Sequence, residues 1–215
     1  MKEMQISGVI AIDGPAASGK STAAQKTAKK LGAIYINTGN MYRAITLAAI
    51  EKKLDISNLS ADKLKAFLSN TSLEYRLNPP AEPELLLNGK PAGNSIRSPK
   101  VAQLVSKIAA ISEIRQWLVE KQRKMVKNRK LVVMEGRDIG TVVFPGAKYK
   151  FFLTATPEVR ARRRLEQSGE IPEGSTLTAV AKEIAKRDKM DMNRTVAPLT
   201  KAEDAVPIAS SRMSA

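Results

Sequence analysis

The octapeptide Gly14-Pro15-Ala16-Ala17-Ser18-Gly19-Lys20-Ser21 constrains this chain more than any other stretch. It fits G-x-x-x-x-G-K-[ST], follows the apolar run Val9-Ile10-Ala11-Ile12 and opens a helical pattern, the context such a loop needs. Glycines let the loop wrap a phosphate with its N–H groups, and the helix N-terminus behind it adds positive potential. Lys20 is placed to reach β- and γ-phosphates and the Ser21 hydroxyl to ligate Mg²⁺. Gly14 through Ser21, with Thr22 next in line, therefore predicts binding of a nucleoside triphosphate such as ATP.

The rest of the chain repeats the strand-then-helix rhythm. Ala33-Ile34-Tyr35-Ile36, Leu131-Val132-Val133-Met134 and Tyr149-Lys150-Phe151-Phe152-Leu153 read as buried strands. Alternating with helices, they predict an α/β fold with a parallel sheet covered on both faces. Ala205-Val206-Pro207-Ile208 carries a proline, so it belongs at a sheet edge. Helices are expected over residues 19–31, 41–53, 61–68 and 112–127, with Ser60 as a cap. Ser98-Pro99 and Thr156-Pro157 each set a capping residue before proline at the first helical position. Two stretches break the rhythm. Residues 73–98 alternate, break at Asn78-Pro79-Pro80 and turn at Asn88-Gly89, which predicts a small antiparallel insertion. Residues 167–175, rich in Gly, Glu and Pro, read as a mobile surface loop.

Composition removes whole classes of chemistry. The 215 residues include no cysteine and no histidine, which excludes thiol nucleophiles, thiolate or imidazole metal sites and Ser-His-Asp triads. A net charge of +15 favours phosphorylated partners or polyanions. No apolar run approaches the ~18 residues of a membrane span, so a cytoplasmic protein is expected.

Other candidate residues cluster at predicted strand ends. Glu135-Gly136-Arg137-Asp138 and Thr38-Gly39-Asn40-Met41-Tyr42-Arg43 each follow a strand, at the edge where open α/β sheets bind ligands. Glu135 can contribute to a Mg²⁺ shell, and Arg137 can hold a phosphate. Arg187, Asp191 and Arg194 are spaced by four and three on a stripe that begins at Val180 and Ile184. That inward face turns from apolar to charged, which suits an anionic ligand with a sugar hydroxyl as well as a surface ion-pair ladder. Arg160, Arg162, Arg163 and Arg164 cannot share one helical face, so some must be solvated.

Taken together, these motifs resemble the bacterial cytidylate kinase family. The match runs from Gly14–Ser21 through Thr38-Gly39-x-x-Tyr42-Arg43, Ile96-Arg97-Ser98-Pro99 and Gly136-Arg137-Asp138-Ile139-Gly140-Thr141-Val142-Val143-Phe144-Pro145 to Arg187-Asp188-x-x-Asp191-x-x-Arg194. The resemblance implies a P-loop NTPase three-layer α/β/α fold with a central parallel sheet. It also implies a core (residues 1–60, 130–160 and 195–215), a small antiparallel nucleoside-monophosphate-binding insertion (61–129) and a lid (161–190). It further implies ATP-dependent phosphorylation of CMP and dCMP with Mg²⁺, by a monomer. Carried over, phosphate contacts fall on Arg43, Arg137 and Arg194, and cytosine-reading groups on Ser106, Arg115 and Asp138. Sugar contacts fall on Arg187 and Asp191, with Tyr42 nearby and Thr38 at a hydroxyl position. Arg163 and Arg164 resemble lid arginines that clamp the transferring phosphoryl group, with Lys20 and Arg137 completing the catalytic set. There are two departures. Glu135 is one methylene longer than aspartate. The family also continues into a C-terminal helix, of which Met213-Ser214 resembles the start, so one sheet flank is expected to be less covered.

Two other readings of the residues stay open: a basic nucleic-acid-binding NTPase, and a kinase for another small acceptor such as UMP, AMP or shikimate. Against nucleic acid, Trp117, the four Tyr and the four Phe form no stacking cluster.

Overall fold

The computed structural model describes residues 8–76, 83–167, 171–172 and 174–213. The proline break at residues 78–80, part of the 167–175 loop and Ser214 lie outside these. The chain runs β1 (Gly8–Asp13), α1 (Lys20–Leu31), β2 (Ile34–Asn37), α2 (Thr38–Glu51) and α3 (Ala61–Ser69). It continues through β3 (Leu73–Arg76), β4 (Glu84–Leu87), β5 (Lys90–Pro91), α4 (Pro99–Ala109) and α5 (Ser112–Val126). Then come β6 (Leu131–Gly136), β7 (Tyr149–Thr154), α6 (Pro157–Leu165), α7 (Leu177–Asn193) and β8 (Val206–Ala209).

The main sheet has the order β2-β6-β1-β7-β8, parallel throughout, and β3-β4-β5 form a separate antiparallel sheet. Proline-bearing β8 takes the edge, as its missing N–H requires. Register sets the site. Asp13 lies beside Gly136, and Asn37 beside Glu135, so three strands end together and release their loops on one side. That is the carboxyl edge where open parallel sheets bind ligands.

Strand alternation explains the layers. Val9, Ala11, Val132 and Met134 point into a large core with α2, α4, α5 and the antiparallel sheet. Ile10, Ile12, Val133 and Leu153 point the other way, onto Ala24 and Ala28 of α1. Tyr149 and Phe151 are half-buried on that thinner side. Ala16 joins Ala161, Val180 and Ile184 in a small third cluster, which fixes α6 and α7 against the phosphate loop.

Local chemistry accounts for most element ends, with three corrections to the sequence reading. Helix α2 starts at Thr38 rather than Met41, because the Asn37 side chain accepts the Asn40 N–H at 3.0 Å and caps it earlier. Ser98 precedes Pro99 at the start of α4, but its side chain makes no capping bond. Helix α7 ends at Asn193, and Arg194 is extended (φ −66°, ψ 141°), so it does not continue the helical face of Arg187 and Asp191. Ser60, Thr156 and Thr176 do cap α3, α6 and α7. Asn88 and Gly89 both have positive φ (50° and 75°), the backbone of a tight hairpin turn.

Gly14 sits at φ 148°, and a Cβ there would lie 2.1 Å from the Leu153 carbonyl oxygen on β7. Neither the backbone conformation nor the contact tolerates a side chain. Gly14→Ala should therefore destabilise the fold by about 3 kcal/mol or more, within the range for a forced backbone clash. Chemical denaturation midpoints check this, and an unchanged midpoint would contradict the packing of this loop on β7.

Candidate active site

The loop between β1 and α1 is held from behind. Ala16 and Ser18 turn their carbonyls to Arg160 Nη1 (3.3 Å) and Ser210 Oγ (2.8 Å). In a trans peptide the N–H points opposite its carbonyl, so the N–H groups of Ala17 and Gly19 face forward. Both residues line a cavity of about 1250 Å³. Ala17 takes φ 56° without being glycine, a conformation that persists because its neighbours over-determine it. Buried Lys20 folds back over the loop, donating from Nζ to the Pro15 carbonyl at 2.6 Å and to Ser18 Oγ at 3.3 Å.

Cations converge on the same cavity. Arg43 comes from α2, Arg137 from the end of β6, Arg163 and Arg164 from α6, and Arg187 from α7. Burial, then the nearby charges of Arg137 and Arg43, pushes Arg187 down to about 9, and its Nε has no hydrogen-bond partner. Burial lowers Lys20 as well, helped by Arg137 and opposed by Glu135 and Asp13. A group of like charges held this close, with the buried Arg187 Nε–H unsatisfied, is relieved by an anion. Arg163 is committed in this structure to the end of β8, donating to Ser210 Oγ (3.0 Å) and the Ser210 carbonyl (2.7 Å).

A second, more buried group lies beside the first. Arg115 on α5 pairs with Asp138 and donates to the Ala109 carbonyl at 3.0 Å. Its guanidinium also lies 5.3 Å from the ring centroid of Tyr42. Arg194 Nη2 is 3.9 Å from Asp138 Oδ1 and has no hydrogen-bond partner, while burial lowers its pKa. Arg137 bridges the two groups by donating from Nε to Asp191 Oδ2 at 3.2 Å. Ser106 stands half-buried on α4, a helix that packs on α2, α5 and α7. A carboxylate flanked by arginines can present an acceptor beside donors, the pattern that reads a polar ring edge.

Glu135 is buried, and its carboxylate accepts from Tyr35 Oη and from Asn37 Nδ2 (2.8 Å). Thr38 Oγ1 donates to the Glu135 carbonyl at 2.7 Å, an approach that bare Gly136 permits. Ser21 and Thr22 are exposed on the cavity wall that Glu135 also lines. Among the described residues no group of three acidic side chains could hold a metal. One hydroxyl and one acid facing a phosphate site do suit Mg²⁺, which takes phosphate oxygens and water for the rest of its shell.

A family profile described as cytidylate kinase matches residues 10–215. The cytidylate kinase of Desulforamulus reducens is 48% identical over 204 residues, covering 95% of this chain and 90% of that protein. That of Clostridium botulinum is 44% identical over 202 residues, covering 94% and 89%. This chain belongs to the cytidylate kinase family. A bifunctional pantoate ligase/cytidylate kinase of Prochlorococcus marinus is 43% identical over 206 residues, which are 94% of this chain and 38% of that longer protein.

Within this cytidylate kinase family member, three groups, two of them buried, escaped the sequence reading. Arg160 and Asp188 pair beside the loop, and Asp188 continues the Val180, Ile184 stripe at a spacing of four. Asp13 accepts from the N–H groups of Ile139 (2.9 Å) and Gly140 (2.7 Å), tying β1 to the turn that follows Asp138. Tyr35 read as an ordinary strand residue and Asn37 fell just past the expected strand, so neither gave a signal, though together they hold the Glu135 carboxylate.

Burial raises the Asp13 carboxyl to about 6, opposed by its two backbone bonds. A raised carboxyl favours the folded state most below the unfolded value near 3.8, and this contribution is lost as pH rises through about 6. The stability of wild type relative to Asp13→Asn should therefore fall by about 3 kcal/mol in total between about pH 3 and 7 and stay flat above. Denaturation midpoints of both proteins across that window check it, and a constant difference would contradict the buried setting.

Proposed function

We propose that this chain transfers the γ-phosphoryl group of ATP to CMP and dCMP, giving CDP and dCDP, by in-line displacement. It does so as a monomer in the cytoplasm. The observation that carries the reading is the convergence of Lys20, Arg43, Arg137 and Arg187 on one cavity fronted by the phosphate loop. Membership of the cytidylate kinase family supports the acceptor. No helix of the described residues is long and apolar enough to cross a membrane.

In this reading residues 1–60, 130–160 and 195–215 form the core, 61–129 the acceptor-binding insertion and 161–190 the lid. Gly14 through Thr22 hold the triphosphate. Ser21 and Glu135, the latter through water, would hold Mg²⁺, which neutralises phosphate charge when bound. Arg43, Arg137 and Arg194 take the acceptor phosphate. Ser106, Arg115 and Asp138 read cytosine, while Arg187 and Asp191 hold the sugar, with Tyr42 and Thr38 shaping the wall. Lys20, Arg137, Arg163 and Arg164 stabilise charge on the transferring group. Arg163 reaches it by giving up its bonds to Ser210. No side-chain base is required, because phosphoryl transfer depends on positioning and charge.

Lys20→Ala should remove most turnover while leaving the fold intact, since the charge acts on the transferring group. Near-wild-type kcat at saturating ATP-Mg²⁺ would overturn the donor site.

The acceptor is tested through the base. Cytosine offers an amine donor beside a ring acceptor, whereas uracil offers the reverse. The Asp138 carboxylate can accept from the cytosine amine, and a buried hydrogen-bonded site of this type discriminates by roughly 10⁴-fold. Asp138→Ala should lower kcat/KM for CMP strongly and for UMP much less. A coupled ADP-release assay over CMP, dCMP, UMP and AMP measures it, and equal losses would remove Asp138 from base recognition.

A further inference from the structure

Helix α7 presents two consecutive residues to different parts of the site. Arg187 lines the cavity that the acceptor and donor phosphates share. Asp188, next in sequence, is buried and turns instead to the phosphate loop, where Oδ1 accepts the Ala16 N–H at 3.2 Å. Its other oxygen pairs with Arg160 of α6. Arg160 in turn donates from Nη1 to the Ala16 carbonyl at 3.3 Å and from Nε to the Ala155 carbonyl at 3.1 Å. Both polar groups of one loop residue are thus held by a single ion pair from the two helices behind it.

A buried ion pair is poor evidence for stability, because desolvation offsets much of the attraction. What this pair does hold is a conformation. Engaging the Ala16 carbonyl turns the next N–H, that of Ala17, toward the cavity. Ala17 itself has φ 56°, a backbone that a non-glycine residue keeps only under constraint. Gly14 on one side and Ser18 on the other are fixed separately, by close approach to Leu153 and by the Ser210 hydroxyl. Between them Ala16 has the Arg160–Asp188 pair as its polar anchor.

We infer that Asp188, with Arg160, is a positioning residue for the donor site: it sets the phosphate loop at Ala16–Ala17 and touches neither nucleotide. The inference rests on the kinase reading above for what the loop binds, and extends it by separating two neighbours on one helix. Arg187 and Asp191 serve the acceptor, while Asp188 serves the donor.

Isothermal titration calorimetry of the full chain with a non-hydrolysable ATP analogue plus Mg²⁺, and separately with CMP, tests this. Wild type, Asp188→Ala and Asp188→Asn are compared, each with its melting temperature. Asp188→Ala should weaken the ATP analogue by about 10-fold or more, the scale of one lost charge-assisted bond, and CMP by less than about 3-fold. Asp188→Asn keeps an oxygen for the Ala16 N–H but loses the ion pair, so it should recover most donor affinity while melting as low as the alanine variant. Parallel losses for both nucleotides that follow the melting temperature would reduce the pair to a structural brace and overturn the inference. If Asp188→Ala does not fold, the pair Arg160→Met/Asp188→Asn removes both charges with little change in volume. Donor-selective loss in that protein supports the inference, and equal loss overturns it. Wild type that takes the ATP analogue but not CMP would overturn the acceptor reading. The asparagine rescue of donor affinity would then still decide the role of Asp188.

Discussion

A loop that turns its N–H groups toward a phosphate must turn its carbonyls into the protein, and each of those needs a donor there. That requirement organises much of this molecule. Arg160 answers the Ala16 carbonyl and Ser210 answers that of Ser18. These donors come from α6 and from the chain just past β8, elements far apart in sequence. Arg163 holds Ser210 in turn, so the sheet edge, the helix after β7 and the loop are fastened together. The third core cluster, where Ala16 meets Ala161, Val180 and Ile184, is the apolar counterpart of the same fastening.

A second constraint is charge. The cavity gathers Lys20 from α1, Arg43 from α2, Arg137 from the end of β6, Arg163 and Arg164 from α6 and Arg187 from α7, and their mutual repulsion would splay them if nothing held the backbone behind each. Acids are placed where they steer individual cations: Asp191 on Arg137, Asp138 on Arg115, Asp188 on Arg160. Of these three cations Arg137 lines the cavity, while Arg115 and Arg160 are tied to the backbone around it at Ala109 and Ala16. The result is a site preorganised for anions, in which substrate supplies the missing negative charge.

The fold was largely legible because its signals are local and periodic. Apolar runs of four or five residues marked every strand of the main sheet, and the proline in β8 announced an edge. The Asn88-Gly89 turn and the caps at Ser60 and Thr156 could be read for the same reason. The phosphate loop could be read as well, since its chemistry lies within eight consecutive residues. What escaped is what depends on long-range pairing. Arg160 was one of four arginines of which some had to be solvated, and only the fold reveals that its partner lies 28 residues later. Asp13 reaches the N–H groups of Ile139 and Gly140, across a sequence separation of more than a hundred residues. Periodicity also extended α7 one residue too far. Spacing alone could not show that Arg194 leaves the helix yet still approaches Asp138 from an extended backbone.

The absence of histidine and cysteine fits this arrangement. A reaction that needed a proton shuttle would require a titrating group with a free lone pair at the cavity. Asp13, with its carboxyl raised to about 6, is the residue whose titration suits that task. Both its oxygens already accept backbone N–H groups from the turn after Asp138, and it does not line the cavity. Glu135 does line the cavity, but it accepts from Tyr35 and Asn37 there. Both of these acids are therefore engaged by donors, and the cations that face the cavity, Lys20, Arg43, Arg137, Arg163, Arg164 and Arg187, can only donate. Such a surface suits the stabilisation of charge on a phosphoryl group more than the movement of protons, which is the division of labour that phosphoryl transfer allows.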